Sequence, residues 1–492
     1  MSKISTEKDV NLVVIGSGGA GLSCAVTAMQ RGLKRIVVLE KSPFTGGNSR
    51  MAGGHMVCVT TEDKPGTVGT AEDTFRQVIR FHHYKQVEPK LLRRFLDNTR
   101  GNIDFLETIG FPCTPNGGGL QAGKYPFGNF KMVTTKMKQM VIEGGNDFLL
   151  NTAATKIERD VDGKVCRVYA KSAKGEELIF NTRAVLIATG GFTGNSELLH
   201  KYFPDQYDDN YYTDALPLDG DGIALAAGAG AALTPYCTLV KENAYSCDSR
   251  LDAPNRSAHQ ACSLWVNAHG ERFHDENDTF SNESTNALVR QPGKIGYALF
   301  DENIIATLEE KLAEMRAKSG PVDRNAPPDF SAMQSMVINV MDADRLRTSL
   351  ENEWKRRDGW VFKADTPAEL ARMMGIKEAA LIRTIEEYNA DCVAGHDSLF
   401  GKPSEAMIPL RRGPYYALKF RPILIDTQGP IVINDEMEVL DPDHEPIPGL
   451  YAAGVCTSGS QGEDYCLHGA NLSYALFSGR FAGRNIVDYI GV

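Results

Sequence analysis

None of the ten cysteines, at 24, 58, 113, 166, 237, 247, 262, 392, 456 and 466, is spaced C-x-x-C from another. That spacing marks iron–sulfur, zinc and c-type haem sites, so those classes are set aside and no metal centre is expected. The chain also lacks a Lys/Arg-dense run, and its formal net charge is −10. A nucleic-acid partner, which calls for a basic patch, is therefore not expected. No apolar run approaches the roughly 20 residues that span a bilayer. The longest small-apolar stretch, Gly222–Leu233, is much shorter, so no membrane partner is expected. The polar segment Met1–Asn11 lacks the apolar core of an export signal. With scattered thiols, this reads as a cytoplasmic protein. What is present is ordinary: 492 residues, 42% hydrophobic and 24% charged, enough for two or three domains and a large core.

The N-terminal pattern is more specific. Leu12–Ile15 is an apolar, β-branched run that stops at Gly16-Ser17-Gly18-Gly19-Ala20-Gly21. Helical spacing of Leu22, Ala25, Val26 and Met29 follows, then Gly32 and a second apolar run, Ile36–Leu39, ending at Glu40. This is a βαβ unit, and it implies a parallel, doubly wound α/β sheet. Gly16 allows the tight turn, Gly18 admits a pyrophosphate against the backbone, and Gly21 lets helix and sheet pack closely. The helix N-terminus offers free N–H groups and a positive dipole end to the phosphates. Glu40 is placed to accept from ribose hydroxyls.

Further along, residues 154–186 alternate as a β-meander with turns at Asp162-Gly163 and Lys174-Gly175. Ala184–Ala188 is another buried strand, closed by Thr189-Gly190-Gly191. Composition changes over residues 241–360, which are richer in charge and carry a Pro/Asp-rich stretch. Thr366 reads as the N-cap of a helix where the α/β pattern resumes. Gly449–Gly454 is a strand running into a glycine turn, and Asn471–Tyr489 reads as a closing helix. The domain division expected from this is 1–240, 241–360 and 361–492, the outer two forming one domain.

NAD and FAD both suit a lone G-x-G-x-x-G turn. Here Lys41-Ser42-Pro-Phe-Thr-Gly46-Gly47-Asn48-Ser49 follows Glu40 directly as a second glycine-rich loop. The segments VVIGSGGAGLSCA, VVLEKSPFTGGNS, AGG at 52–54, IATGGF, GDGIALAAGAGA, VNAHGERFHDE and IPGLYAAG come in order along nearly the whole chain. In these the chain resembles the FAD-dependent family of fumarate reductase and succinate dehydrogenase flavoproteins, which includes 3-ketosteroid Δ1-dehydrogenases and urocanate reductases. The resemblance implies an α/β fold: a Rossmann-like FAD-binding domain with an inserted α+β lid, or capping, domain. It implies hydride exchange between flavin N5 and a carbon of an activated C–C bond, with a side chain handling the proton. It assigns cofactor contacts to Gly16, Gly18, Gly19, Ala20, Gly21, Glu40, Lys41, Ser42, Gly46, Gly47, Asn48, Ser49, Gly53, Gly54, Ala154, Thr189, Gly190, Gly191, Asp221, Gly454, Asn471 and Ser473. Asn48-Ser49-Arg50 lacks the His that tethers flavin in respiratory relatives, so the FAD is expected to be non-covalent.

The departures concern the substrate. The Arg acid of fumarate reductases falls on Ile305, and their His-containing stretch falls on Arg421–Gly429, which has no His. Their Asn-Arg-Leu-Gly-Gly motif falls on Tyr465–Gly469. Fumarate itself is not the expected substrate. Tyr416-Ala-Leu-Lys-Phe-Arg421-Pro matches a ketosteroid dehydrogenase motif whose catalytic Tyr falls on Arg421. A permanently charged guanidinium suits a carboxylate or enolate oxygen; the alternative is an Arg paired with a structural acid. Tyr465 and His468 stand where the family binds substrate, and Tyr125 stands at a pocket position. Glu276 matches a family carboxylate, with a plain lid-anchoring charge as the other reading. Expected partners are a small molecule bearing a carbonyl or carboxylate and an external electron donor or acceptor. A flavin-dependent amine or amino-acid oxidase of the L-aspartate oxidase type and a non-catalytic electron-transfer subunit remain open at this level.

Overall fold

Four apolar residues and a run of glycines set the first element. In a computed structural model, which describes residues 6–59, 69–116, 119–122, 130–208, 211–213, 216, 218–244, 262–278, 282–308, 310, 343–467 and 469–492, Leu12–Ile15 is a fully buried strand, β1. Helix α1 (Gly19–Gln30) follows, beginning three residues ahead of Leu22, the first apolar position of the helical spacing. Then come β2 (Ile36–Leu39) and β3 (Asp147–Leu149). The meander is β4 (Thr152–Arg159), β5 (Val165–Ser172) and β6 (Glu177–Asn181), turning at Gly163 and Gly175, both at positive φ. Next are β7 (Ala184–Ile187) and helix α2 (Asp221–Gly228). A second region contributes β8 (Leu264–Asn267), β9 (Gly296–Asp301), β10 (Val361–Ala364) and the long β11 (Tyr415–Gln428). The chain closes with β12 (Glu438–Leu440), β13 (Pro446–Ala452) and helix α3 (Ala470–Ile490).

The chain forms two compact units, Met1–Asp205 with Ala215–Val240 and Asp426–Val492, and Gln206–Asp214 with Lys241–Ile425. The first holds a six-stranded sheet in the order β12-β13-β7-β1-β2-β3. Its strands from β13 to β3 are parallel, with Val13 beside Val37 and Val185. β12 is antiparallel to β13. Strands buried on both faces need continuous apolar sequence, which Leu12–Ile15, Ile36–Leu39 and Ala184–Ile187 supply. Helices α1 and α3 approach closely because two glycines of α3 face α1. A Cβ at Gly479 would lie 2.1 Å from the Ala20 carbonyl oxygen, and one at Gly483 would lie 2.7 Å from that of Cys24.

The second unit has its own apolar core, including Trp265, Phe300, Leu370, Leu381 and Phe420. Its sheet is built on β11, which pairs antiparallel with β9 and with β10. The expected division at residue 361 is corrected by this pairing. Val361 is in register with Leu418, and the helix Pro367–Met374, capped by the Thr366 side chain as its sequence suggests, puts Leu370 and Ala371 into the same core. Residues 361–425 therefore belong with the inserted unit, and the chain returns to the first unit at Asp426.

Candidate functional site

The site is built first from steric necessity around β1. Gly16 has φ +105°, and a Cβ there would lie 2.3 Å from the Ala188 carbonyl oxygen. A Cβ at Gly21 would lie 2.0 Å from the Gly16 carbonyl oxygen. Both positions require glycine for packing. Gly18 differs: it is extended, at φ −73° and ψ −175°, and nothing stands within 4 Å of where its Cβ would be. Open backbone at the N-terminus of a 12-residue helix is the arrangement a pyrophosphate needs.

The second glycine loop lies against the first. Gly18 and Gly46 form an isolated parallel bridge, and the Gly46 N–H donates to the Ser17 carbonyl at 2.9 Å. Ser49 Oγ accepts the Gly19 N–H at 3.1 Å. A Cβ at Gly47 would come within 3.4 Å of Gly18. Ala20 is buried at the start of α1, 2.9 Å from where a Gly454 Cβ would stand. Gly190 follows β7 at φ +79°, and Thr189 packs so closely on α2 that a Cβ at Gly222 would be 2.1 Å from its Oγ1. That hydroxyl is buried and has no hydrogen-bond partner. Gly54 is buried, whereas Gly53 is exposed with open space around it. Ala154 sits at a register shift in β4.

Several expected cofactor residues have protein partners of their own. Glu40 Oε2 accepts both the N–H and the hydroxyl of Ser17, and Oε1 accepts the Ser42 N–H at 2.8 Å. Lys41 donates to Asp219 at 2.8 Å and to Asp221 at 2.7 Å. Burial works against the charge of Lys41, but these hydrogen bonds outweigh it and its pKa is raised. Ser473 has the most complete set of such partners. It is fully buried; its hydroxyl donates to the Val57 carbonyl and accepts from Asn102, and its N–H donates to the Gly469 carbonyl. It is taken up by the packing of α3.

At the start of α3 lies a polar network that sequence reading missed in part. Asn471 Oδ1 accepts from Gln428 Nε2 and from Gln461 Nε2. Ser460 Oγ donates to Gln428 Oε1 at 3.0 Å. Gln461 Oε1 is buried with no hydrogen-bond partner. Asp426 joins this network to the glycine loop: its Oδ2 accepts from Asn48 Nδ2 at 3.1 Å, and its Oδ1 accepts from the Thr427 N–H at 2.9 Å. Burial pushes the Asp426 carboxyl up to about 7, although hydrogen bonds from Thr427, Asn48 and Asn471 act in the other direction. The available signal was one acid in the otherwise apolar run Pro422-Ile-Leu-Ile-Asp426.

The candidate substrate residues are distributed over both units. Tyr465 is partly buried against the core of the first unit. His468 and Tyr125 lie outside the described residues. In the second unit, Arg421 and Lys419 alternate with buried Phe420 and so share one face of β11. Tyr297 on β9 is in register with Lys419. Burial lowers the Lys419 pKa, and the Arg421 charge lowers it further. Burial raises the Tyr297 pKa, and Arg421 partly opposes that. Glu276 is different: it is fully buried among cations. Its oxygens accept from the Trp265 N–H and from Arg272, and Lys402 Nζ lies 3.2 Å away. Arg272 also pairs with Asp397 at 2.8 Å. These contacts are those of the lid-anchoring alternative for Glu276: a carboxylate held between Arg272 and Lys402.

Among the described residues no group of three or more His, Cys, Asp or Glu could hold a metal ion, and no helix is long and apolar enough to cross a membrane. The family model described as FAD binding domain matches residues 11–472. The vinyl phenol reductase of Lactiplantibacillus plantarum is 27% identical over 504 residues, covering 97% of this chain and 96% of that protein. The NADH:fumarate oxidoreductase of Klebsiella pneumoniae is 28% identical over 505 residues, covering 98% of this chain but only 46% of that protein. Among solved structures, 3-ketosteroid Δ1-dehydrogenase from Sterolibacterium denitrificans superposes with a TM-score of 0.75 at 18% identity, covering 98% of this chain and 100% of that one. At that identity the likeness is one of fold.

Proposed function

We propose, from the premise that this chain belongs to the FAD binding domain family, that it is an FAD-dependent oxidoreductase acting on an activated C–C bond of a small molecule. The first unit is read as its Rossmann-like FAD-binding domain and the inserted α+β unit as its capping domain. Gly18, Gly19 and Ala20 would hold the pyrophosphate at the start of α1, with Gly46–Ser49 beside them. Glu40 would keep that turn in shape. FAD, when bound, supplies two-electron chemistry; this chain's residues bind, orient and manage charge and protons. The FAD is non-covalent in this reading, since Asn48-Ser49-Arg50 offers no tethering imidazole. A reducing compartment such as the cytoplasm suits the nine described cysteines, all of them free thiols.

The observation that carries the substrate class is the Lys419–Arg421 pair. Two cations on one strand face repel; burial is the main cause of the lowered Lys419 pKa, and the Arg421 charge adds to it. A carboxylate or enolate oxygen at Arg421 relieves the repulsion and gains charge-assisted hydrogen bonds. The substrate is therefore an unsaturated or saturated carboxylate or ketone, and electrons pass to or from a separate donor or acceptor. The test is steady-state turnover of FAD-loaded protein with a reduced dye as donor, offered enoates, enones and vinyl phenols, with products identified by mass spectrometry. Saturated products from enoates or enones support the reading; no product from any alkene, with amino acids oxidised instead, refutes it.

A further inference from the structure

A thiol and an imidazole meet in the first unit. The helix Ala71–His82 ends on His82, which is buried at 3% exposure. Its Nε2 stands 3.2 Å from the Sγ of the partly buried Cys466. The contact is held on both sides. Gly462 lies against the imidazole, where a Cβ would come within 2.3 Å of His82 Cγ, and the Gly462 carbonyl accepts the Thr238 hydroxyl. Just beyond the helix, Val87 bridges to Gly459, and the Glu88 N–H donates to the Gly459 carbonyl at 2.9 Å. Cys113 and Cys166 are also partly buried, but their thiols donate to the backbone carbonyls of Phe111 and Glu158. The thiolate is the nucleophilic form of cysteine, and an adjacent base that takes the proton generates it. Burial lowers the His82 pKa and His83 adds to this, while the acids Asp464 and Glu463 oppose it. The ring is therefore a neutral base at neutral pH.

We propose that Cys466 and His82 form a nucleophilic pair that adds covalently to activated alkenes, the same class of molecule that the reduced flavin would consume. The identity of the electrophile rests on the functional reading above. Tyr465, the preceding residue, stands where that reading handles substrate, so an alkene is brought to the loop that carries the thiol. The step balances within the pair. The Cys466 proton passes to His82 Nε2, and a sulfur electron pair forms a bond to the β-carbon. The π electrons of the double bond move to the α-carbon, which takes the proton back from His82. Sulfur and hydrogen have then added across the double bond, with no electron donor consumed. The addition therefore proceeds when reduction cannot, and the thioether it leaves occupies the loop beside Tyr465.

The test is incubation of the FAD-loaded protein with cyclohexenone in the absence of an electron donor, followed by intact mass measurement and peptide mapping. The first adduct should carry the mass of one alkene and map to Cys466, ahead of the other partly buried cysteines Cys113, Cys166 and Cys392. C466S should lose it. H82Q should slow it by roughly 100-fold, the low end of what a positioned base contributes. Added imidazole should restore part of the rate in H82A, which it would not do for a His82 that only supports the fold. A first adduct on any other cysteine of the wild type overturns the proposal, and that mapping does not depend on how the variants fold. An unchanged rate in H82Q overturns it as well. The two readings fail separately. Reduction of the alkene by fresh protein supplied with a donor, together with no Cys466 adduct when the donor is withheld, overturns the pair alone. A Cys466 adduct, with no reduction of any alkene by fresh protein supplied with a donor, overturns the proposed function alone.

Discussion

The Glu40 carboxylate accepts the Ser17 backbone N–H at 3.0 Å and the Ser17 hydroxyl at 2.7 Å, both through Oε2. The acid that ends β2 thus clamps the turn that leaves β1. E40A leaves the buried Ser17 N–H without its acceptor, an omission worth roughly 1–3 kcal/mol. FAD affinity should fall about 10- to 100-fold, the same energy expressed in binding, and equilibrium dialysis would measure it. An E40A protein with unchanged affinity would remove Glu40 from the site.

The glycines of that turn separate packing from binding. G21A places a Cβ 2.0 Å from the Gly16 carbonyl oxygen, so it should yield little folded protein. G18A meets nothing within 4 Å and asks for no forbidden backbone angle, so it should fold with a near-normal thermal midpoint. Its methyl group would occupy space left for phosphate, and FAD affinity should drop by at least tenfold. Circular dichroism melts with flavin content by absorbance distinguish the two outcomes; a G18A protein that keeps full FAD content argues against a phosphate at that turn.

How far the sequence reveals this molecule depends on the range of the forces involved. The β1-α1-β2 unit is legible because strand, turn and helix follow one another and each glycine answers to a neighbour a few residues away. The meander turns and the Thr366 cap are local in the same way. The second domain boundary was not legible, because it depends on Val361 pairing with Leu418, and no local pattern encodes a partner that distant. The same is true of side-chain partners: Lys41 and Asp221 looked like separate cofactor residues, yet they pair across 180 positions. Asp426 carries a local signal, an acid inside an apolar strand, but its partners Asn48 and Asn471 lie far away in the sequence.

Arg421 should act on substrate and not on cofactor. R421A should keep its FAD while raising KM or lowering kcat by roughly two orders of magnitude, the scale of a lost charge-assisted contact. R421K should recover only part of this, because an ammonium cannot form a paired fork. Steady-state kinetics on an accepted substrate, with flavin content determined on the same samples, checks this. Kinetics of R421A close to wild type would return the residue to a structural role.

The buried charge cluster of the inserted unit makes a different prediction. Burial acts against the ionised Glu276 carboxylate, but Lys402 and Arg272 overcome this and its pKa is lowered. A depressed acid stabilises the fold above its unfolded pKa and loses that contribution as pH falls. The inserted unit should therefore weaken as pH drops below the ordinary carboxylate range. E276A removes the acid shared by Arg272 and Lys402, leaving Arg272 with Asp397 and Lys402 with the Ser263 carbonyl, and should cost about 3–5 kcal/mol of stability, with FAD content unchanged. Urea unfolding monitored at Trp265 and its neighbours tests this, and a mild stability change with a large loss of kcat would restore Glu276 as a catalytic residue.

Anaerobic stopped-flow absorbance addresses the central claim most directly: photoreduced, FAD-loaded protein is mixed with α,β-unsaturated carboxylates and ketones, in wild type and in R421A. Rapid, saturable return of the oxidised flavin spectrum in wild type, with formation of the saturated product and a large slowing in R421A, is the predicted result. A reduced flavin spectrum that persists with every alkene, while amino acids bleach the oxidised protein and release peroxide, would contradict the account.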